Sequence, residues 1–305
     1  MHKSLAKDEA ERQAAQLAAD AARERSRRNE LGQFATPPDL ALDIARSVAE
    51  LGCLGETVAF CDPALGTGAF YSAVSQALGP ERIRSAAGIE IDADLAQTAR
   101  RLWGKHGLRV VTGDFFEDAV RASCPEVPDL IVTNPPYVRH HHIDGPTKHR
   151  LGQMIEELTG TRLSGLSGLY VYYLLAATAW LRPDGVGVWL LPSEFMDVNY
   201  GEALKAYLLN HVTLLRVHQY DPHQLEFSDA LVTSAVVTYL KQPPPHDHVV
   251  KFTFGGRMTD PEESHQRALA DVDRAAKWTQ YCSGGSSYKS PRGSSDLVVG
   301  GLFEA

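Results

Sequence analysis

Cysteine is scarce in this chain, and the four present (Cys53, Cys61, Cys124, Cys282) stand far apart with no CxxC pair. That spacing argues against a disulfide framework and against a zinc site. Long apolar runs are missing too: the longest, residues 169–181, is too short to span a bilayer and reads as a buried helix. Positive charge is in deficit, with 30 Lys and Arg against 38 Asp and Glu for a net charge of −8. A stand-alone nucleic-acid binder usually carries the opposite balance. There is no lysine-bearing phosphate loop and no GxGxxG of the nicotinamide type, which disfavours ATP and NAD. No internal repeat is visible. Residues 1–4 lead into charged sequence rather than an apolar leader, so a cytoplasmic chain with no secretory peptide or membrane span is expected. What remains is globular in character: 305 residues, 44% hydrophobic and 22% charged, can bury the core of one large domain with extras.

Residues 1–30 are rich in Ala, Arg, Glu, Asp and Gln, with Leu5 and Leu17 as large apolar residues, so a mostly solvated helix or a disordered arm is expected. Arg25, Arg27 and Arg28 either meet phosphate or form a solvated face. The folded part opens at Leu31-Gly32-Gln33-Phe34-Ala35-Thr36-Pro37-Pro38-Asp39. Thr36 is placed as N-cap, Pro37 at the first helical position and Asp39 as the capping-box acid of a helix running to about Leu51. Strands are predicted at 57–62, 86–90, 109–112, 129–133, 186–191, 212–217 and 233–240, alternating with helices, the last inserting antiparallel. Past Lys241 a proline-rich link leads to an exposed helix over 259–277, opened by Asp260-Pro261-Glu262, and then to a Gly/Ser-rich linker over 283–295.

Three stretches carry chemistry. Asp62-Pro63-Ala64-Leu65-Gly66-Thr67-Gly68-Ala69-Phe70 joins a strand to a helix through a glycine turn, which lets backbone approach a nucleotide closely. About 20 residues on, Glu90 ends the next strand, where a carboxylate can accept from ribose hydroxyls. Asn134-Pro135-Pro136-Tyr137 closes the strand at 129–133, since proline cannot donate to a sheet ladder, and so Asn134 sits at a strand's carboxyl end. These residue types suit methyl transfer to a planar amino group. The Asn134 side-chain oxygen and the Pro135 carbonyl can accept the amino protons, and Tyr137 offers a face for stacking. The loop Val138-Arg139-His140-His141-His142 is read as touching substrate phosphates, with Lys148, or solvent; adjacent histidines converge poorly on one ion, and no metal is expected.

Asn-Pro-Pro-Tyr resembles the catalytic motif of amino-methyltransferases that use S-adenosylmethionine (SAM), among them DNA adenine-N6 and protein-glutamine N5 enzymes. Gly32-Gln33-Phe34 followed by Thr36-Pro37-Pro38 is similar to the N-terminal motif of γ-class DNA adenine methyltransferases, and Asp62 through Phe70 matches their Asp-Pro-x-x-Gly-x-Gly-x-Phe loop. The resemblance covers residues 30–245. It implies an α/β fold, the class I SAM-dependent methyltransferase (Rossmann-like) seven-stranded, mostly parallel sheet with helices on both faces. It implies a site-specific DNA adenine-N6 methyltransferase, acting on a flipped adenine in a restriction-modification or phage-defence setting. By the same resemblance Asn134, Pro135 and Tyr137 are catalytic; Phe34, Thr36, Asp62, Gly66, Gly68 and Glu90 hold the cofactor; Asp114 accepts from its adenine amine and Phe115 packs on that ring. Phe115 and Phe116 are otherwise core. Phe227, ahead of the last strand, is either the second face of the base sandwich with Tyr137 or a hydrophobic staple. Domains are expected at 1–30 (charged arm), 31–245 (catalytic) and 246–305, where residues 297–305 resemble the opening strand of a target-recognition region. DNA, bound weakly by this chain, a separate recognition domain or subunit and a cognate endonuclease are the implied partners. Two alternatives stay open: a protein-glutamine or RNA amino-methyltransferase, and a non-catalytic subunit binding SAM or a partner.

Overall fold

The structure, a computed structural model, describes residues 2–22, 32, 34–221 and 234–284. Helix α1 (His2–Ala22) and helix α2 (Pro38–Ala49) precede β1 (Val58–Asp62), α3 (Ala69–Leu78), β2 (Ile83–Glu90), α4 (Ala93–Trp103) and β3 (Leu108–Thr112). Then come α5 (Asp118–Ala122), β4 (Leu130–Thr133), α6 (Gly145–Thr159), α7 (Leu169–Trp180), β5 (Val186–Pro192) and α8 (Glu202–Asn210). The chain continues through β6 (Thr213–Gln219), β7 (Ser234–Leu240), β8 (Val249–Phe254), β9 (Glu263–Ala268) and α9 (Thr279–Cys282). Among the described residues the strands form one sheet in the order β3-β2-β1-β4-β5-β7-β6-β8-β9. Strands β1 to β5 are parallel, and β7 inserts antiparallel between β5 and β6, as the spacing of the last two predicted strands requires.

The central strands β1, β4 and β5 are buried along their whole length, the condition of parallel strands covered on both faces. Side chains alternate between two cores: Leu130 and Val132 of β4 face the layer of α2, α3 and α4, whereas Ile131 faces α7. Helix α7 is buried nearly all round and packs with Trp189, Leu191 and Tyr239. No described helix is long and apolar enough to cross a membrane.

The structure departs from the sequence reading in three places. Helix α1 forms and is mostly exposed, as expected, yet one face of it is docked: Leu5, Asp8 and Arg12, at helical spacing, are buried against the layer of α3 and α4. Thr36 does not cap α2; Pro37 takes the cap position without a side-chain bond and the helix begins at Pro38. The exposed helix expected over 259–277 does not form. Gly255 and Gly256, with φ of 63° and 60°, reverse the chain, and β9 pairs antiparallel with β8, giving nine described strands where seven were expected. The Glu-Ser-His-Gln-Arg-Ala run of β9 has no apolar alternation, so its strand character rests on pairing with β8 and on the half covering of an edge. Most of the Gly/Ser-rich linker, the tail at 297–305 and Arg25, Arg27 and Arg28 lie outside the described residues.

Candidate active site

The order β3-β2-β1-β4-β5 reverses between β1 and β4, so the connections from their carboxyl ends run in opposite directions and leave a crevice there. Asp62 ends β1, Glu90 ends β2 and Thr133 ends β4 beside Asn134. The topology thus gathers three of the sequence-selected stretches at one edge.

The glycine loop is held from beneath. Leu65 N donates to Ile89 O at 3.0 Å and Gly68 N to Leu65 O at 2.9 Å, which folds the loop back over the sheet edge. Leu65 itself points inward, into space that Gly88 leaves: a Cβ at residue 88 would lie 2.6 Å from it. The large side chain at this free position of the loop is therefore absorbed by the core. Gly68 sits at φ 91° with the Trp103 ring against it, and Trp103 Nε1 donates to Thr67 O at 2.8 Å. Gly66 N donates to one oxygen of Glu90 at 2.7 Å and Asp92 N to the other at 2.8 Å, so the Glu90 carboxylate is oriented by backbone on both sides.

Asp62 is 1% exposed, and its Oδ1 accepts from Thr133 Oγ1 at 2.6 Å and Ala64 N at 3.1 Å. Burial pushes its carboxyl from the ordinary 3.8 up to about 7, against the pull of those two hydrogen bonds and with the help of the Glu90 charge. Among the described residues no cation offsets that burial, and so the site favours a positively charged ligand beside Asp62.

Asn134 is set by the Gly32-to-Pro38 stretch, about 100 residues away in sequence. Its Nδ2 donates to Phe34 O at 3.0 Å and to Thr36 Oγ1 at 3.2 Å, so two acceptors fix which end of the amide faces them. Its Oδ1 is buried and has no partner among the described residues. Gly32 makes the contact possible: with φ 59° it lies against the backbone of Tyr137, where a Cβ would come within 2.5 Å, and its carbonyl accepts from Tyr137 N at 2.9 Å. The Tyr137 hydroxyl donates to Leu190 O at 3.1 Å, and its ring meets Phe34 at 5.7 Å and Tyr170 at 6.5 Å between centroids. Burial raises the Tyr137 hydroxyl pKa, so the ring stays neutral.

The remaining sequence candidates are placed unevenly. Asp114 is half-buried at the end of β3; its Oδ1 accepts from Phe116 N at 3.0 Å and its Oδ2 lies 3.9 Å from Arg150 of α6. Phe115 is 1% exposed and packed on Tyr173 at 5.2 Å with Arg121 over its ring, a core position. Phe227 lies outside the described residues. His140, His141 and His142 form a turn on the surface ahead of α6. Two residues that sequence reading passed over line the crevice, Arg12 and Gln16 of α1. Arg12 Nη1 donates to Thr67 Oγ1 at 3.2 Å, and Thr67 Oγ1 donates to Gln16 Oε1 at 2.9 Å. No periodicity could have found them, because the docked face of α1 is largely polar.

Phe34, Thr36, Asp62, Gly66, Thr67 and Asn134 line one cleft. These residues fit SAM. The turn has no lysine and so no phosphate cradle, and among the described residues Asp62 has no countercharge, which an ammonium or sulfonium would supply.

A family profile described as Eco57I restriction-modification methylase matches residues 127–225, the span holding the Asn134 motif. The chain is 27% identical over 211 residues to the type II methyltransferase M.AccI of Acinetobacter calcoaceticus, covering 69% of this chain and 37% of that protein. It is 26% identical over 191 residues to the type II methyltransferase M.XamI of Xanthomonas campestris pv. amaranthicola, covering 62% and 36%. The chain thus spans little more than a third of the length of these relatives. Among solved structures, a class I SAM-dependent methyltransferase from Listeria monocytogenes superposes with a TM-score of 0.64 at 16% identity, over 83% of this chain and 75% of that one. The chain has the class I SAM-dependent methyltransferase fold, and its sequence is similar to methyltransferases of restriction-modification systems.

Proposed function

We propose that this chain methylates the N6 amine of adenine in DNA, with SAM as methyl donor, as the modification component of a restriction-modification or phage-defence system. The observation that carries the reading is the Asn134 side chain. Its nitrogen is spent on Phe34 O and Thr36 Oγ1, and its buried oxygen is left as an acceptor at a strand end. A buried acceptor without a donor costs about 1–3 kcal/mol, which an incoming N–H recovers.

An exocyclic amine conjugated to a ring is a poor nucleophile, because its lone pair is shared with the ring. Asn134 Oδ1 accepts a hydrogen bond from one amino N–H and the Pro135 carbonyl from the other, which localises the lone pair for attack on the methyl group; the methylated amine then releases one proton to water. The stiff Pro135-Pro136 backbone holds both acceptors without reorganisation. Tyr137, fixed by Leu190 O and Phe34, presents a ring on which the base stacks; stacking offsets part of the few kcal/mol that flipping a base costs. When bound, SAM supplies an electrophilic methyl group. Phe34, Thr36, Gly66, Gly68 and Asp62 would hold its methionine end, Glu90 its ribose and Asp114 its adenine amine. Phe227 remains the candidate for the second face of the base.

Similarity to two type II methyltransferases supports DNA over glutamine or RNA as the substrate, as does the Gly32-to-Pro38 stretch seated on the Asn134 loop. The net charge of −8 implies that this chain alone binds DNA weakly, and that a recognition domain or subunit supplies base reading and most phosphate contacts. A cytoplasmic location and a cognate endonuclease complete the proposal. Nucleoside mass spectrometry of DNA from a host without its own adenine methylation tests it. N6-methyladenine should appear with the native chain and vanish with Asn134→Ala; methylation that survives the substitution would remove Asn134 from the chemistry.

A further inference from the structure

Helix α1 belongs to none of the motifs that point to the cofactor, yet it forms one wall of the cleft. It is fastened by its buried Asp8, which accepts from Lys105 Nζ at 2.7 Å and bonds His106 Nε2 at 2.7 Å, and by the ion pair of Glu11 with Arg101. These contacts place Arg12 over the glycine loop. The Arg12 side chain is 2% exposed, and its Nε and Nη2 donate to the two oxygens of Glu9 at 2.8 and 2.7 Å while Nη1 donates to Thr67. A guanidinium has five N–H donors, of which these bonds use three. Among the described residues that line the cleft, Arg12 is the single cation and Asp62 the other charged member.

We propose that Arg12, carried by α1 and positioned by Glu9, binds the α-carboxylate of the cofactor's amino-acid end, with Gln16 beside it. This rests on the SAM reading above and goes beyond it, because it makes α1 part of the cofactor site. The chemistry is a match of opposites within one cleft. A zwitterionic amino-acid group needs a donor for its carboxylate and an acceptor for its ammonium, and the described lining of the cleft offers one guanidinium and one carboxylate, Arg12 and Asp62. A bidentate guanidinium–carboxylate contact in a water-poor site is among the stronger polar contacts available. Glu9 holds the guanidinium plane and partly neutralises it, so Glu9 tunes the affinity without touching the ligand.

The test compares two ligands by calorimetry. S-adenosylhomocysteine has the amino-acid end, whereas 5′-methylthioadenosine keeps the nucleoside and sulfur and lacks it. Arg12→Gln should weaken S-adenosylhomocysteine at least tenfold and leave methylthioadenosine within twofold. Glu9→Gln should tighten S-adenosylhomocysteine severalfold, again without moving methylthioadenosine, a gain that damage to the fold would not produce. Equal weakening of both ligands in Arg12→Gln, or no change in either, would overturn the assignment of Arg12 while leaving the SAM reading intact. If Arg12→Gln does not fold, Glu9→Gln decides alone: no selective gain overturns the proposal. A native chain that binds neither ligand removes the SAM reading, and this proposal with it.

Discussion

Asp62 makes the stability of this protein depend on pH in an unusual direction. Its folded carboxyl titrates at about 7, raised by burial from the ordinary 3.8, so the native state holds a proton that the unfolded chain has released. A group with a raised folded pKa contributes fully below its unfolded value and loses that contribution as pH rises toward the folded value. The loss spans pH 4 to 7 and comes to about 4 kcal/mol at high pH, of which roughly 3 kcal/mol falls between pH 5 and 8. Asp62→Asn keeps the size and can still accept from Thr133 Oγ1 and Ala64 N, but cannot ionise. Urea unfolding of both proteins at pH 5, 6, 7 and 8 measures the effect. The stability of Asp62→Asn relative to the native chain should rise by roughly 3 kcal/mol from pH 5 to 8, the sign following from the proton released on unfolding. A positively charged group beside Asp62 favours its ionised form, so S-adenosylhomocysteine, through its α-ammonium, should bind the native chain more tightly at pH 8 than at pH 6, with that trend absent in the variant. Parallel stability curves for the two proteins would show that Asp62 is not held neutral by burial, and the charge argument for the cleft would lose its basis.

Thr36→Val removes one of the two acceptors that orient Asn134 and should slow methyl transfer to DNA about 2- to 12-fold, the worth of one hydrogen bond, whereas Thr36→Ser stays near native; equal rates for Val and native would mean that Phe34 O alone sets the amide. Gly68→Ala places a Cβ within 2.5 Å of Trp103 Nε1 at φ 91° and should lower thermal stability by about 2–4 kcal/mol, an unchanged unfolding midpoint being the contrary result. Tyr137→Ala should weaken single-stranded, adenine-rich DNA by about 1–3 kcal/mol in anisotropy titrations while Tyr137→Phe, which keeps the ring, stays close to native; equal losses would put the hydroxyl rather than the ring in contact with the base.

The central sheet and the position of the Asn134 loop were legible because their signals are local. A β-branched run stopped by Pro135-Pro136 can only be a strand end, and Gly66 and Gly68 mark a turn between a strand and a helix. What the sequence hid depends on contacts distant along the chain. Thr36 has the composition of an N-cap, but its hydroxyl is taken by Asn134, 98 residues away. The docking of helix α1 was hidden because the face it buries is Leu5, Asp8 and Arg12, where Asp8 and Arg12 are accommodated by Lys105, His106, Glu9 and Thr67 rather than by apolar surface. Strand β9 carries polar residues throughout and becomes a strand only because β8 offers a free edge and Gly255-Gly256 turns the chain toward it. Phe115, next to an acid at a strand end, had two readings; it is buried and packed on Tyr173.

The most direct test of the central claim is the fate of a labelled methyl group. Purified chain, native or Asn134→Ala, is incubated with methyl-labelled SAM and a mixture of DNA, RNA and protein from a host lacking adenine methylation, and each fraction is digested and resolved. The account predicts label in DNA, recovered as N6-methyladenine, from the native chain and none from the variant. Label in RNA or in protein glutamine, or label in DNA at any atom other than adenine N6, would contradict it.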